Sequence, residues 1–397
     1  MTSRDPMVIV GSARTPLGGF QGAFKDVAAA QLGAAAVRAA LERSGIEMDL
    51  VDEVLLGCVL SAGQGQAPAR QAAIAAGLPL SVGATTVNKM CGSGMMSAML
   101  AHDRIVAGSA AIVVAGGMEN MTNAPYLLDR ARSGYRLGHD KIVDHMFLDG
   151  LEDAYDKGRL MGTFAEDCAE AYQFSRSAQD AFALASLEKA RKAIAGGSFL
   201  EEIVPIKVTA GKTERIVDED EQPAKARPER IPALKPAFRE GGTVTAANSS
   251  SISDGAAALV LMRRSEADKR SVGPLATIRG HVTHTQAPNL FTTAPIGAIR
   301  KLCQRIGWNL RDVDLLEINE AFAVVPMAAM RDLGLPEDKV NVHGGACALG
   351  HPIGASGARI IVTLVAALRK YQLRRGIAAV CIGGGEATAL AVECIMP

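Results

Sequence analysis

The sequence predicts an α/β fold built from two similar halves with an insertion in the first. Three observations support it: segments of the chain repeat in the same order, the predicted strands are short apolar runs, and the composition favours a core of small residues. The chain has 397 residues, 48% of them hydrophobic, but only 4% are aromatic and 41 are glycine. Such a length normally requires more than one packed unit. We therefore expect an aliphatic core with many close backbone approaches.

The first repeat pairs a segment near the N-terminus with one near residue 300. AAVRAALERSGIEMDLVDEVLLG, from Ala35, matches GAIRKLCQRIGWNLRDVDLLEIN, from Gly297, with Gly45 aligned to Gly307. Each copy has the pattern of an amphipathic helix ended by glycine, followed by a polar turn and an apolar strand. Short continuous apolar strands are typical of sheets covered on both faces.

A second repeat follows the first in the same order. CGSGMMSAMLAHDRIVAG and AAIVVAGG resemble GASGARIIVTLVAALRKYQ and IAAVCIGGG, which aligns Gly94 with Gly357 and Gly116 with Gly383. A helix is predicted to begin near Gly92. The two repeats together indicate a duplication, with the halves packed as a pseudo-symmetric pair.

The middle of the chain does not repeat and is more polar. It contains the acidic run VDEDE and a charged stretch rich in proline, and a helix is predicted over about 178–195. Long insertions of this kind often cover a ligand site. We predict an N-terminal half of residues 1–117 and 243–268, an inserted loop domain of 118–242 for ligand binding and oligomer contacts, and a C-terminal half of 269–397.

Charge and cysteine usage exclude several classes of protein. The 42 Lys and Arg balance the 42 Asp and Glu, which argues against nucleic-acid binding. No apolar stretch is long enough to cross a membrane, and the N-terminus lacks the apolar region of a signal peptide. The seven cysteines are scattered without a CxxC motif. This favours free thiols in a cytoplasmic protein over a disulfide framework or a zinc site.

Three glycine-rich loops carry reactive side chains. Cys91, in VNKMCGSG, precedes a predicted helix whose N-terminus would stabilise a thiolate. His351, in ALGHPIGASG, is placed on a loop where it could act as a general base. Cys381, in CIGGGEA, precedes glycines whose N–H groups suit an oxyanion hole. Because Cys91 and Cys381 are assigned to corresponding loops of the two halves, we expect one site for acyl transfer through a thioester.

Less specific interpretations of these residues remain open. A cysteine beside glycine is often simply buried, and consecutive glycines also form phosphate-binding nests. Cys347 and His351 offer only two ligands for a metal, which is a weak pattern. We therefore predict no metal site.

Five motifs over nearly the whole chain resemble the thiolase family. They are VNKMCGSG, VVAGGMENMTNAP, GTVTAANSSSISDGAAA, EINEAFA and NVHGGACALGHPIGASG, with CIGGG near the end. The resemblance implies a five-layer αβαβα fold of two βα halves with mixed sheets, and a loop domain inserted in the first half. It also implies a homotetramer.

The resemblance assigns roles to five residues. Cys91 would form the acyl-enzyme, and His351 would activate it and later polarise the second thioester. Cys381 would be the acid/base for the acetyl methyl group. Asn319 would hold a water that shares one oxyanion hole with His351, and the N–H groups of Cys91 and Gly383 would form the other. The implied reaction joins two acetyl-CoA into acetoacetyl-CoA and CoA, reversibly, with no metal or redox cofactor; coenzyme A is substrate and product.

The resemblance also implies a set of contacts with coenzyme A. Most of these residues are apolar, so they could equally be core, and Asn319 and Ser250 could merely form local turns. A family arginine near the CoA phosphates is absent, with Lys225 nearby as a point charge. Leu160 and His343 also depart from the family pattern. The matching positions are Ser250, Leu151, Met161, Phe238, Ala246, Ala321, Phe322 and Lys225.

Several alternative functions remain open at this stage. A broader 3-ketoacyl-CoA thiolase of fatty-acid degradation is the nearest one. Condensing enzymes of the ketoacyl-carrier synthase kind share the fold, but Cys381 and NEAFA argue against them. A non-catalytic acyl-CoA-binding relative would lack Cys91 or His351, and both are present. A redox-sensing thiol protein would show no acyl transfer.

Overall fold

The structure, a computed structural model, describes residues 5–210 and 213–395. The strands are β1 Met7–Arg14, β2 Gly18–Gly19, β3 Glu53–Gly57, β4 Gly83–Val87, β5 Ile112–Asn120, β6 Tyr126–Leu127, β7 Val143–Asp144, β8 Ile206–Ala210, β9 Thr213–Val217, β10 Ser253–Arg263, β11 Ala276–Thr285, β12 Leu315–Ile318, β13 Arg375–Ile382 and β14 Glu386–Cys394. The helices are α1 Ala29–Ser44, α2 Pro68–Ala76, α3 Ser93–Val106, α4 Met161–Ala171, α5 Arg176–Ala195, α6 Glu221–Lys225, α7 Arg264–Lys269, α8 Ala294–Ile306, α9 Val324–Leu333, α10 Ala346–Leu349 and α11 Ile353–Lys370.

Two sheets have the same strand order and the same directions. The first sheet has the order β4-β3-β5-β10-β1, in which only β10 runs antiparallel to the other four strands. The second has the order β12-β13-β14-β11, and a parallel bridge from Leu316 to Val340 stands where β4 stands in the first. The sheets join through two residue pairs between β1 and β11. The predicted duplication with mixed sheets is confirmed.

Local details of the two halves also correspond. Helix α1 ends at Gly45 with φ 68°, and helix α8 ends at Gly307 with φ 69°. Both glycines adopt the left-handed conformation that L-residues with a Cβ disfavour, which explains why this position is glycine twice. A short 3₁₀ turn and then a buried strand follow each helix.

The strand pairing corrects one predicted alignment. Gly116 pairs with Leu56, and the equivalent pair in the second sheet is Ala379 with Ile318. Gly116 therefore corresponds to Ala379 and not to Gly383. The alignment by glycines failed because the two strands carry their glycines at different points, since β5 already contains Gly116 well before its end at Asn120.

Three apolar cores separate five layers, as the fold prediction requires. One core joins α1 and α2 to the outer face of the first sheet. A second core lies between the two sheets. It consists of side chains from α3 and α11 and from the inner faces of both sheets. The third joins α8 and α9 to the outer face of the second sheet. The order is therefore αβαβα, with α3 and α11 in the central layer.

The segment between β5 and β10 contains α4 to α6 and the small β6–β7 and β8–β9 sheets. It is fastened to the first sheet by Arg14, whose guanidinium lies 2.7 Å from both Glu202 and Asp220 in a fully buried ion cluster. Helix α5 confirms the helix predicted over 178–195. The boundary predicted at 118 falls inside β5, and the division into domains stays a prediction.

Two further sequence expectations concern thiols and membranes. Each of the seven cysteines has a free thiol. Among the described residues, no helix combines the length and apolarity needed to cross a bilayer.

Candidate active site

Cys91 lies on a tight turn between β4 and α3. Met90 before it has φ 47°, a left-handed conformation unusual for a residue with a side chain. The turn is held by Asn88 Oδ1, which accepts from the Met90 N–H at 3.0 Å, and by Ser93 Oγ, which accepts from Lys89 N–H at 2.8 Å and donates to Met90 O at 2.6 Å. A strained turn with its own hydrogen bonds fixes the direction of the thiol.

The central helices meet at two glycines. A Cβ on Gly94 would lie 2.8 Å from the backbone N of Ala358, and a Cβ on Gly357 would lie 2.5 Å from the backbone N of Met95. Only glycine allows this approach, which brings the N-terminal ends of α3 and α11 together. The loop of Cys91 and the loop of His351 precede these ends, so they are the equivalent loops of the two halves. The expectation that Cys91 and Cys381 occupy equivalent loops was wrong, because Cys381 lies in a strand, β13.

The C-terminal end of β13 reaches the same point from the second sheet. The backbone N–H groups of Gly383 and of Cys91 itself lie close enough to the Cys91 thiol to lower its pKa. A Cβ on Gly92 would lie 2.4 Å from Cδ1 of Ile382, which shows how closely the end of the strand packs against the turn. Cys381 is close enough that the charge of Cys91 raises the pKa of the Cys381 thiol. The structure thus brings together both cysteines and Gly383.

The protonation of the two thiols differs from the sequence expectation. Burial raises the pKa of Cys91 to about 11, although the two N–H groups act in the opposite direction. The helix N-terminus was expected to stabilise a thiolate, but removal from water is the larger effect here. Burial also raises the pKa of Cys381 well above its ordinary value. Both groups are therefore neutral thiols near pH 7, and Cys91 needs a base.

His351 is a buried base with one nitrogen free. Its Nδ1 lies 2.5 Å from Ser356 Oγ, and that hydroxyl donates to Pro352 O at 2.9 Å. Because a hydroxyl has a single proton, Oγ accepts from the Nδ1–H of His351, and Nε2 carries the lone pair. Nε2 is buried without a partner among the described residues. Burial, and then the charge of Arg359, lower the pKa of His351 to about 3, so the imidazole is neutral.

Asn319 follows β12 directly and is buried beside His351. Its backbone N–H donates to Ala379 O at 3.0 Å, which fixes it against β13. Its Nδ2 lies 3.5 Å from Nδ1 of His351, and its Oδ1 is buried with no partner in the described part of the chain. A buried polar atom without a protein partner normally binds water or ligand. The structure therefore places Asn319 beside the imidazole, and its role stays a prediction.

Two buried acids that the sequence analysis did not assign hold these loops. Glu119, in GGMEN, accepts from the N–H groups of Val59 at 2.9 Å, Leu60 at 3.1 Å and Gly354 at 2.9 Å, and burial raises its pKa to about 7. It therefore anchors the first turn of α11, two residues beyond Pro352. An acid inside the otherwise apolar strand β5 was the available sequence signal.

The second acid is Glu320, next to Asn319. Its carboxylate accepts from Asn341 Nδ2 at 2.8 Å, Ser186 Oγ at 2.7 Å and the Cys347 N–H at 3.0 Å. These bonds join the NEAFA loop to α5 and α10. The order of the loops around His351 thus depends on two buried carboxylates that accept hydrogen bonds from several separate loops.

The predicted coenzyme A contacts divide into three groups in the structure. Leu151 packs in an apolar cluster that also borders Cys91. Met161, the first residue of α4, places its sulfur 3.3 Å from the position of a Cβ on Gly383. Leu151 thus shares an apolar cluster with Cys91, Met161 lies against Gly383, and both residues come from the insertion.

The second group lies along the NEAFA loop. Phe238 and Phe322 make an edge-to-face contact with ring centroids 5.9 Å apart. The Ser250 N–H donates to Ala321 O at 3.0 Å. The insertion and the second half meet here in a mostly apolar surface.

The third group lines a cavity of about 300 Å³ that contains Lys225 and Ala246. Ser251 also lines it, and its carbonyl accepts from the His351 N–H at 3.2 Å, so the cavity adjoins the imidazole loop. Lys225 is engaged by Glu221 at 2.6 Å. Two cations that the sequence analysis did not assign, Arg227 and Arg230, line the same cavity. Both lie in a charged, proline-rich stretch, and their spacing there did not indicate that they line a common cavity.

Comparison with known protein families gives matches to two consecutive parts of the chain. Residues 7–265 match the family description "Thiolase, N-terminal domain", and residues 272–394 match "Thiolase, C-terminal domain". The chain belongs to the thiolase family. This confirms the resemblance to the thiolase family that the sequence motifs indicated.

Relatives and solved structures within the thiolase family cover the whole chain. An acetyl-CoA acetyltransferase of Pseudomonas aeruginosa is 48% identical over 97% of this chain and 98% of its own length. The crystal structure of the Bacillus anthracis acetyl-CoA acetyltransferase superposes with a TM-score of 0.96 at 41% identity, over all of both chains. A thiolase from Ascaris suum in complex with coenzyme A gives a TM-score of 0.93 at 39% identity, over 98% of this chain and all of that one.

Proposed function

We propose that this thiolase condenses two acetyl-CoA to acetoacetyl-CoA and CoA, and catalyses the reverse thiolysis, through an acyl-enzyme on Cys91. One observation carries the proposal: the Gly383 N–H of the second half lies close enough to the Cys91 thiol of the first half to lower its pKa. Nucleophile, second thiol and amide donors thereby converge at one point. The acetyl-CoA acetyltransferase names of the relatives support the same activity.

The first stage transfers an acetyl group to the enzyme. Nε2 of His351 takes the proton of the Cys91 thiol, and the sulfur attacks the thioester carbonyl of acetyl-CoA. The N–H groups of Cys91 and Gly383 then stabilise the oxyanion that develops. The C–S bond of the substrate breaks, the leaving CoA thiolate takes the proton of the Cys381 thiol, His351 keeps the proton from Cys91 on Nε2, and Cys91 carries the acetyl group.

The second stage forms the carbon–carbon bond. The Cys381 thiolate that the first stage leaves removes a proton from the methyl group of a second acetyl-CoA, and the enolate attacks the acetyl carbonyl on Cys91. The Nε2–H that His351 gained in the first stage and a water held by Asn319 donate to the enolate oxygen. His351 Nε2 and Asn319 Oδ1 support this role, because both are buried without a partner among the described residues. The Cys91 thiolate leaves and takes back the proton held on Nε2 of His351, acetoacetyl-CoA is the product, and both thiols are again protonated. Thiolysis follows the same path backwards.

Coenzyme A is proposed to lie across the insertion. Leu151 and Met161 border the thiols, and Phe238 and Phe322 give an apolar surface for the pantetheine arm. Lys225, Arg227 and Arg230 line one cavity. Together they supply the positive charge for the phosphates that the family arginine would otherwise supply.

The assembly, location and cofactor requirements complete the proposal. We propose a homotetramer, which exposed apolar side chains in the insertion support, for example Leu137 at 99% exposure. A cytoplasmic location agrees with the seven free thiols. The chemistry above proceeds through thiols, an imidazole and amides, so we propose that catalysis uses neither a metal ion nor a redox cofactor.

A panel of 3-ketoacyl-CoA substrates tests the proposal against its nearest alternative. Thiolysis rates are measured for acyl chains from four to sixteen carbons. Activity confined to the four-carbon substrate is expected. Comparable rates with eight to sixteen carbons would instead identify a broader 3-ketoacyl-CoA thiolase, and no activity on any substrate would indicate a non-catalytic acyl-CoA-binding relative.

A further inference from the structure

Two histidines and an aspartate converge far from the active-site loops. His102 and Asp103 lie in the last turn of α3, and His281 lies on β11 of the other half. His102 is nine residues beyond Ser93, the first residue of α3, which places it about 14 Å further along the helix axis. The two histidines line a separate cavity of about 440 Å³.

Three ligand atoms form a nearly equilateral triangle. His281 Nε2 lies 3.0 Å from Asp103 Oδ1 and 3.2 Å from His102 Nδ1, and His102 Nδ1 lies 3.0 Å from Asp103 Oδ1. In a tetrahedral site with bonds of about 2.0–2.1 Å, ligand atoms are about 3.3 Å apart, and in an octahedral site about 3.0 Å. An ion bound to all three atoms would lie about 1 Å out of their plane.

No arrangement of protons satisfies all three contacts. If both imidazole nitrogens carry protons, each donates to Asp103, but two N–H groups then face each other between His102 and His281. If only His281 Nε2 is protonated, it can donate to both neighbours, but the lone pairs of His102 Nδ1 and Asp103 Oδ1 then oppose each other at 3.0 Å. A single cation at the centre makes all three contacts favourable.

We propose that His102, Asp103 and His281 bind a divalent first-row transition metal ion such as Zn²⁺, with its remaining coordination directed at the cavity. Two imidazoles and one carboxylate are a ligand set that suits these ions. The ion would fasten α3 of the first half to β11 of the second half. It is a structural site, separate from the thiol chemistry.

The surrounding charges permit a cation. Three arginines line the same cavity, but each guanidinium is engaged elsewhere. Arg305 Nη1 donates to His281 O at 3.1 Å, Arg263 Nη2 donates to Ile105 O at 2.9 Å, and Arg279 Nε lies 3.6 Å from Glu393 Oε2. Asp5 also lines the cavity and adds a negative charge. The C-terminal end of α3 carries a partial negative charge next to the site.

The linear sequence gives no indication of this site. His102 and Asp103 are adjacent, but His281 is 178 residues beyond Asp103. The ligand spacings by which metal sites are identified in sequences are much shorter. The prediction of no metal site rested on such spacings.

Equilibrium dialysis with Zn²⁺ tests the proposal on the full chain. The active-site cysteines are first alkylated with iodoacetamide, because free thiols also bind zinc. Wild type is expected to bind about one Zn²⁺ per chain, and its Tm to rise by roughly 2–5 °C with saturating Zn²⁺ and to fall again with EDTA. Asp103→Asn and His102→Ala should lose both effects, whereas His139→Ala, at an exposed histidine of the insertion, should keep them.

Two results would overturn the site. One is the absence of saturable binding to the alkylated wild type, and the other is binding by Asp103→Asn and His102→Ala equal to that of wild type. Thiolysis activity of the unalkylated variants verifies that they are folded, because neither residue touches the thiols. Asp103 is exposed, and Asp103→Asn keeps the size of its side chain. This variant therefore tests the site even if replacing a more buried histidine disturbs the fold.

Discussion

Ser356 Oγ lies 2.5 Å from Nδ1 of His351 and donates its proton to Pro352 O at 2.9 Å. The serine is in the first turn of α11, five residues after the histidine, so one loop and one helix turn contain the base and the group that orients it. The bond selects the tautomer with the proton on Nδ1. It therefore leaves Nε2 free to accept a proton.

Ser356→Ala should weaken catalysis without removing any reacting group. Without the acceptor, the imidazole can take the other tautomer and other orientations, and we expect kcat to fall roughly 10- to 100-fold, or about 1.4–2.8 kcal/mol. Steady-state thiolysis of acetoacetyl-CoA measures this. Ser356→Thr, which keeps the hydroxyl, should recover much of the loss, and Ser133→Ala at an exposed serine should match wild type. Equal rates for Ser356→Ala and wild type would show that the bond does not orient the base.

Asn319→Ala should separate the two stages of the reaction. The residue is proposed to act on the enolate oxygen, so condensation should fall about 100- to 1,000-fold, as for loss of an oxyanion-hole donor. Acetylation of Cys91 should proceed, since its oxyanion is held by other groups. Rapid quenching gives the acetylation rate and product assay gives the condensation rate. Equal losses in both would contradict the separate roles.

Lys225, Arg227 and Arg230 should act on the nucleotide end of coenzyme A. Replacing each by Ala should raise KM for acetoacetyl-CoA about 3- to 10-fold with little change in kcat, because the interaction is with a part of the substrate that does not react. The effect should shrink at high salt. Lys235→Ala, at an exposed lysine near this segment, is the matched control.

A truncated substrate tests the same assignment more sharply. Acetoacetyl-pantetheine lacks the nucleotide, so the three variants should act on it like wild type. A similar loss with both substrates would show that these cations act through the fold and not through the phosphates.

The alkylation of Cys91 should depend steeply on pH. Its pKa is raised to about 11, so the thiolate fraction at pH 7 is about 10⁻⁴ and rises tenfold with each pH unit up to the pKa. The rate of iodoacetamide modification of the free enzyme, followed at Cys91 by peptide mass spectrometry, should therefore still increase above pH 9. A plateau below pH 7 would indicate the pre-formed thiolate that the helix N-terminus alone predicts. Once Cys91 carries an acetyl group, iodoacetamide should no longer modify it.

The sequence predicted the family, the duplication and the five-layer fold, and these predictions are confirmed. They succeeded because equivalent positions, such as Gly45 and Gly307, both need a left-handed backbone at a helix end, and that need selects glycine in each half. The alignment of Gly116 with Gly383 failed because strand register is set by pairing with the neighbouring strand, which the sequence does not display.

The chemistry of the site was less accessible from sequence. The motifs located Cys91, His351 and Cys381, but not the protonation of the thiols, because burial outweighs the helix N-terminus only once the chain is packed. Glu119 stands inside a quoted motif, and its partners lie in loops far away in sequence. Arg227 and Arg230 are surface-type residues whose shared cavity depends on the path of the insertion. The roles of individual residues stay predictions.

The central claim is that Cys91 carries the acetyl group and Cys381 performs the second stage. Intact-mass and peptide spectrometry after mixing with acetyl-CoA measure it most directly, on wild type, Cys91→Ser and Cys381→Ala. Wild type and Cys381→Ala should carry one acetyl group on Cys91, Cys91→Ser should form no thioester adduct, and Cys381→Ala should release no acetoacetyl-CoA. An acetyl group on another residue with Cys91 free, or condensation by Cys381→Ala at the wild-type rate, would contradict the mechanism.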